Sequence, residues 1–469
     1  MAQARTEKVP RRTSACADWR GKRLVALLAL AVPLLAAAVP KADTKAVPKA
    51  DTNADAKADA RADARADSKA ESGATGESLQ VLHWWQSASE RRAVDLLAER
   101  LGQQHVQWRD TMVPGGSGIG AGIVLRSRVL AKDAPEVAQL NGIVIRDWAR
   151  LGLLADLDKV AARGNWDRQL LPGVAALIRP GQHVVAAPLG IHRINILFHN
   201  RALFARHGLA APVTWPEFER AAAVLQRAGV TPLAQSSEPW QVATLFETLV
   251  LAEGGAPYFR QLFQQREPAA FTDPRLGRAL ARLRGLKKWM GTPVRELTWS
   301  EEARKLAEGS AAMLVMGDWA KGELNALGLN SERDFGCGAV PGTAAFHLYT
   351  IDTLSMLAAH PAQRTAQETL AAMVMQPALQ RDYSKVKGSV PVLRAPDLGA
   401  MDDCARASWT LFATSAAVQA PSMAHRMATD ETARDAMVAE LHRFFLNERV
   451  SVADTQHRLG VIGRRPQDR

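Results

Sequence analysis

From residue 79 onward the hydrophobic positions of this chain switch repeatedly between two periods. "SLQVLHWW" reads as a strand, and "ERRAVDLLAERLGQQ" follows with Val94, Leu97, Ala98 and Leu101 at helical i, i+3, i+4, i+7 spacing. "VQWRDTMV" predicts a second strand and "GIVLRSRVLAKD" a second helix. "EVAQLN" predicts a short third strand, and "IRDWARLGLLADL" a further helix. Strand–helix alternation of this kind predicts an α/β fold with a parallel, doubly wound sheet. Ligands of such sheets sit beyond the carboxyl ends of the strands. Trp85, Gly115–Gly118 and Asn141 all fall at such ends.

The stretch from about 200 to 345 reads as a second α/β unit rich in helices. Its helices are "TWPEFERAAAVLQRAG", "WQVATLFETLVLAEGG" and "PRLGRALARLRGLKKWM"; it closes with the strand "AAMLVMG" and then "DWAKGEL". An extended pattern returns at "HLYTIDTLSM", and helical periodicity dominates from there to the end.

The first 78 residues follow neither period. A basic region precedes "LVALLALAVPLLAAAV", which is apolar but shorter than the roughly 20 residues a spanning helix needs. Ala36-Ala37-Ala38 offers an A-x-A cleavage site, so residues 1–38 read as an export signal cut after Ala38, with a retained anchor as the alternative. Residues 39–78 are dominated by Lys/Arg-Ala-Asp units, and residues 41–71 hold no large apolar residue beyond Val47. Such a tract cannot bury a core and reads as a disordered tether. Export implies a periplasmic location.

The chain has 469 residues and a net charge of +11. Residues 1–39 contribute +5 and residues 40–78 contribute −1, which leaves +7 on the body. That excess is scattered without a run of like charges, so no nucleic-acid partner is expected. Three cysteines are present, and Cys16 is lost with the signal. Cys337 and Cys404 remain; from the residues alone they are either a pair, as an oxidising compartment allows, or two buried thiols. Neither has C-x-x-C spacing, the eleven histidines lack ligand spacing, and neither a metal nor any other cofactor is expected.

"GGSGIGA" at 115–121 formally matches a phosphate-cradling G-x-G-x-x-A between a strand and a helix. Its supporting acid fails, because Glu136 stands at the start of its strand, and a tight turn with backbone donors is the reading preferred. Ser87-x-x-Glu90 is a capping box for the first helix, a role that can coexist with ligand contact. His192 in "GIHRIN" reads as a satisfied structural histidine. Glu90, Glu238 and Asp352 are available as carboxylates for glycoside hydrolysis, though nothing marks a general acid. Twelve Trp against three Tyr is the more informative signal. Trp84, Trp85, Trp240 and Trp319 all adjoin polar loops, an arrangement suited to sugars, whose rings offer apolar faces and hydroxyl edges.

From about 79 to 465 the chain resembles the family 1 extracellular solute-binding proteins, in particular the glucose/mannose-type periplasmic sugar-binding branch of ABC importers. The matching segments include "WWQSASE", "GGSGIGAGIVLRSRVLAKDAPEVAQLNG", "APLGIHRINILFHN", "PWQVATLFE", "WSEEARKLAEGSAAMLVMGDWAKGE", "YTIDTLSM", "KVKGSVPV" and "PSMAHRMA". The resemblance implies a two-lobed, hinged periplasmic-binding-protein fold with a ligand cleft between the lobes. Lobe 1 would comprise 79–193 plus 347–387, and lobe 2 would comprise 194–346 plus 388–469. Trp84 and Trp85 would pack on a sugar ring with Glu90 nearby, and Trp240 and Trp319 would form walls from the second lobe. Asp352 would accept hydroxyl hydrogen bonds, Lys387 and His425 would donate or exchange them, and His192 would lie near the cleft. The chain departs from the family's pattern where Asn141 replaces a lysine or histidine and where Thr350 replaces an asparagine. Related chains also carry cysteines at these two places, which favours a Cys337–Cys404 disulfide.

The function this implies is a monomeric, non-enzymatic receptor that closes on a monosaccharide, with glucose ahead of mannose and galactose. It would deliver the sugar to an ABC permease in the inner membrane. A sugar sensor for a membrane kinase or chemoreceptor, and a glycosidase, are the competing readings.

Overall fold

The computed structural model describes residues 77–464. The export signal at 1–38, and the tether except for its last two residues, lie outside the described residues. Those last two, Glu77 and Ser78, belong to the first strand, although the folded body was expected to start at 79.

Among the described residues, ten strands build two sheets. The first sheet holds β1 (Glu77–His83), β2 (Val106–Met112), β3 (Val137–Gln139), β4 (Ala187–Arg193), β9 (His347–Met356) and β10 (Gln419–Pro421), in the order β10-β9-β3-β1-β2 with β4 also on β9. The second holds β5 (Ile196–Asn200), β6 (Thr231–Ala234), β7 (Ala311–Met316) and β8 (Phe335–Ala339), in the order β6-β7-β5-β8. β1 pairs in parallel with β2 and β3, as expected. The sheet is nevertheless mixed, because β9 runs antiparallel to both β3 and β4. Periodicity reports which face of a strand is buried, whereas pairing direction depends on where the chain re-enters the sheet. β9 re-enters from the second half of the molecule and so arrives reversed.

Each sheet has its own apolar core. Leu79, Val81 and Leu82 of β1 meet Val94, Leu97 and Leu101 of the helix Ala88–Gly102 in the first, confirming the periodicity of that helix. Phe198, Leu314 and the long helix Pro239–Arg260 fill the second. The chain passes between the cores alongside β4 and β9: Ile191 and Ile351 lie in the first core, and Ile194 and Leu348 in the second. One segment differs from expectation. Val390, Val392, Leu393, Ala405 and Phe412 pack in the first core, although 388–469 was expected to belong wholly to the second lobe. The backbone explains this, since Ile191 and Val390 exchange hydrogen bonds of 2.9 Å and Leu171 N–H donates to Val392 O at 3.0 Å. The chain then joins the second core between Phe412 and Ala420, with Met427 still packing in the first.

Cys337 on β8 and Cys404 on the helix Asp403–Thr414 form a disulfide, with Cα atoms 6.2 Å apart. Cys337 packs against the second core, while Ala405 and Phe412 of the other helix belong to the first. Among the described residues no helix is long and apolar enough to cross a membrane.

Candidate functional site

The strand ends of the first sheet and the helix starts of the second face one another across a cavity. All ten residues singled out from the sequence line it: Trp84, Trp85, Glu90, Asn141, His192, Trp240, Trp319, Asp352, Lys387 and His425.

The tryptophan pair divides its work. Trp85 is 1% exposed, its ring stacked at 5.1 Å on His83 and edge-on to Tyr383, so it is chiefly a core residue whose edge reaches the cavity. Trp84 is half-buried and lies over Gly118, where an added Cβ would come within 2.7 Å of its ring. That close approach explains the need for glycine in the loop after β2.

Glu90 forms the predicted capping box. Its Oε2 accepts from Ser87 N–H at 3.1 Å and Gln86 N–H at 3.0 Å, while Ser87 Oγ accepts from Glu90 N–H. Its other oxygen, Oε1, accepts from Lys387 Nζ at 3.1 Å. Lys387 ends the helix Pro377–Lys387 and is 3% exposed, so a buried ammonium and a buried carboxylate neutralise one another here. The next residue, Gly388, takes φ +93°, and a Cβ there would strike Asp318 O at 2.1 Å.

A second charged chain crosses the cavity floor. Asp352 on β9 accepts from Asn141 Nδ2 at 2.8 Å and lies 3.3 Å from His192 Nε2. His192 Nδ1 makes a short contact with the carboxylate of Asp318, whose other oxygen accepts from Arg193 N–H at 2.8 Å. His192 is therefore satisfied, as its residues alone suggested, and it also lines the cavity. Burial pulls its imidazole toward the neutral form, but Asp318 and Asp352 outweigh that and raise its pKa above the ordinary value. Burial likewise opposes ionisation of Asp352, yet His192, Lys387 and Asn141 hold its carboxyl well below the usual range. Asn141 thus fixes Asp352 with its amide.

The opposite wall is aromatic. Trp319 lies 6.4 Å from Trp240, 5.4 Å from His192 and 5.3 Å from His425. His425 Nδ1 is 2.9 Å from Ser422 Oγ, which donates to the fully buried Glu247 at 2.5 Å. Burial above all lowers the pKa of His425. Trp319 Nε1 and Thr350 Oγ1 are buried without a hydrogen-bond partner among the described residues.

Sequence reasoning missed Gln86, Trp299 and Arg426, which also line the cavity, and Asp318, which braces it. Asp318 was quoted only as the start of "DWAKGEL", and its spacing carries no sign of a partner on β4. Arg426 stands next to His425 in the quoted "PSMAHRMA", but its left-handed φ of +64° leaves no trace in the residues.

Residues 87–374 match the family described as bacterial extracellular solute-binding protein. The chain belongs to that family. A probable sugar-binding periplasmic protein of Rhizobium meliloti (strain 1021) is 34% identical over 315 residues, covering 67% of this chain and 76% of its own. A protein of the same description from Brucella suis biovar 1 is 31% identical over 371 residues, covering 79% and 88%. Among solved structures, the solute receptor AcbH, described as having an exclusive preference for β-D-galactopyranose, superposes with a TM-score of 0.71 at 16% identity. That match covers 82% of this chain and 98% of AcbH. Maltose-bound MalE3 of T. maritima gives a TM-score of 0.70 at 16% identity over 82% and 98%. At such identities the likeness speaks for the fold: a two-lobed solute-binding protein, with the cavity between the lobes.

Proposed function

We propose that this solute-binding protein is the sugar-binding component of an ABC importer, acting in the periplasm as a monomer and taking a monosaccharide of the glucose type. The cavity carries this reading, because it sets a tryptophan wall opposite paired carboxylates and cations. Trp84, Trp240 and Trp319 suit the apolar faces of a pyranose, and Glu90, Asp352, Lys387, Asn141 and His425 suit its hydroxyl edge. The two relatives described as sugar-binding periplasmic proteins support the ligand class and the compartment.

The two cores act as two lobes that rock about β4 and β9, so that ligand held between them favours the closed form. Closing brings the buried polar groups onto the sugar, and an epimer that misplaces a hydroxyl leaves one of them unpaired. Handing over unaltered sugar requires a permease partner and no chemical step. Glu90 suits binding better than catalysis, since one of its oxygens is held by a helix cap and the other by Lys387.

Titration calorimetry of the purified protein with glucose, mannose, galactose and a disaccharide tests the proposal. Saturable binding of a hexose at one site per chain, without turnover, is expected. Failure of every sugar to bind would reject it.

A further inference from the structure

The "GGSGIGA" loop and the residue after His425 meet at one corner of the cavity. The helix Ile119–Leu130 begins there behind Gly118, which sits at φ +67° and offers no side chain to cap the first turn. The N–H groups of that turn are thus left without a capping side chain, at the positive end of the helix dipole. Gly115 and Gly116, just ahead of it, line the cavity.

Arg426 comes to the same corner from the other side. A Cβ placed on Gly122, in the first turn of the helix, would lie 3.7 Å from Arg426 Nη2. Its backbone is held left-handed at φ +64°, with N–H donating to Met423 O at 3.2 Å and its carbonyl accepting from Ile143 N–H at 3.0 Å. A long side chain rarely adopts that conformation, and such outliers gather at functional sites.

The side chain is 8% exposed, and its Nε is buried without a hydrogen-bond partner among the described residues. Its charged neighbour is Glu431, 3.4 Å from Nε, and Glu431 already accepts from Arg126 Nη1 at 2.7 Å. Two guanidiniums therefore share one carboxylate; the buried Arg434 stands close by, and so does Asp435, which is itself paired with Arg434 at 2.6 Å. Burial foremost, and then Arg434, pulls the pKa of Arg426 down to about 10, as expected of a cation short of negative charge. The other charges of the lining are matched, Lys387 by Glu90 and His192 by Asp318 and Asp352.

We infer that the cavity takes a sugar bearing an anionic group, a carboxylate or a phosphate ester, and that Arg426 receives this group beside the uncapped start of the helix Ile119–Leu130. The inference rests on the sugar-receptor reading and refines its ligand. The ring lies against the tryptophans and Asp352, and the planar fork of Arg426 takes two oxygens of the anion side by side. Carboxylate and phosphate share this chemistry, so both are tested.

Calorimetry compares glucose, glucuronate, glucose 6-phosphate and inorganic phosphate on the wild type and on Arg426→Gln. At least one anionic sugar is expected to bind ten or more times more tightly than glucose, by roughly the difference a charge-assisted bidentate pair makes. Which of the two does so identifies the group. In Arg426→Gln that preference should shrink to about twofold or less while residual glucose binding persists. Should Arg426→Gln fail to fold, Glu431→Gln is the second variant: it frees Arg426 from its shared carboxylate and should strengthen the preference. Glucose binding as tightly as both anionic sugars overturns the inference alone, as does a preference that survives Arg426→Gln or is weakened in Glu431→Gln. Inorganic phosphate binding as well as the anionic sugars would show a plain anion site and overturn it as well. Failure of all sugars to bind overturns the receptor reading and this inference together.

Discussion

The carboxylate of Glu323 accepts a hydrogen bond of 2.9 Å from the backbone N–H of Ser89. Ser89 lies in the first turn of the helix Ala88–Gly102, packed on the first core, and Glu323 lies on the helix Trp319–Ala326, packed on the second. One lobe thus supplies an anion to an orphan helix N–H of the other. Two residues away, Lys321 Nζ donates to Asp402 Oδ2 at 2.7 Å, a second contact from the same helix. Both partners of the first contact are buried, Ser89 fully and Glu323 to 2% exposure.

These contacts should stabilise the closed form without touching the ligand. Glu323→Gln keeps the shape and removes the charge. It is expected to lower sugar affinity by about 1–2 kcal/mol, or about five- to thirtyfold, from the loss of a charge-assisted hydrogen bond. Calorimetry gives the affinity, and small-angle scattering should show the unliganded variant to be more open than the wild type. Unchanged affinity would mean that the contact forms with no bearing on closure.

Trp319 and Trp85 should respond differently to truncation. Trp319→Ala removes a cavity wall and is expected to weaken sugar binding by about 2 kcal/mol or more, with a loss of part of the fluorescence change on binding. Trp85 is 1% exposed and stacked on His83, so Trp85→Ala should act mainly on stability, by about 3–5 kcal/mol. A Trp85 variant that melts normally but fails to bind would contradict this division.

The raised pKa of His192 makes part of the stability pH-dependent. A group whose pKa is higher folded than unfolded contributes fully below the unfolded value, near 6.5, and its contribution fades as pH rises through the folded value. His192→Gln leaves two buried carboxylates without their cation and should be destabilised at pH 6 by about 3 kcal/mol. The gap to the wild type should narrow as pH is raised above 6.5. Denaturant titrations of both proteins across that range check the sign; a gap that widens with pH would be the opposite of the expectation.

The disulfide joins the edge of the second sheet to a helix of the first core and closes a loop of 67 residues. Loop-closure entropy for that length contributes about 4 kcal/mol to stability, less whatever structure the reduced chain retains. The double variant Cys337→Ser, Cys404→Ser is expected to unfold at lower denaturant concentration by a corresponding amount. A mild reductant should move the wild type to the same midpoint, and the variant should ignore the reductant.

Much of the site was legible because its residue types are uncommon and its segments ordered. Trp84, Trp85, Trp240 and Trp319 announce themselves in a chain with three tyrosines, and Ser87-x-x-Glu90 specifies its own helix cap. The ties between segments were not legible. Asp318 bracing His192, Glu247 receiving Ser422, and Glu323 capping a helix of the other core each join residues more than 100 positions apart, across a gap no local pattern records.

By itself, then, the sequence determined the strand–helix alternation, the first helix and its cap, and the tryptophans, Glu90 and Asn141 of the cavity, whereas Lys387 and His425 came only with the resemblance to the solute-binding family. Local periodicity, capping chemistry and side-chain type are properties of a residue and its near neighbours. Tertiary structure alone decided that β9 runs antiparallel, that the chain from Val390 to Phe412 stays with the first core, and that the buried side chain of Arg426 shares its nearest carboxylate with Arg126. Each of these depends on where a distant segment re-enters and on what water it excludes, and neither quantity exists until the chain has folded.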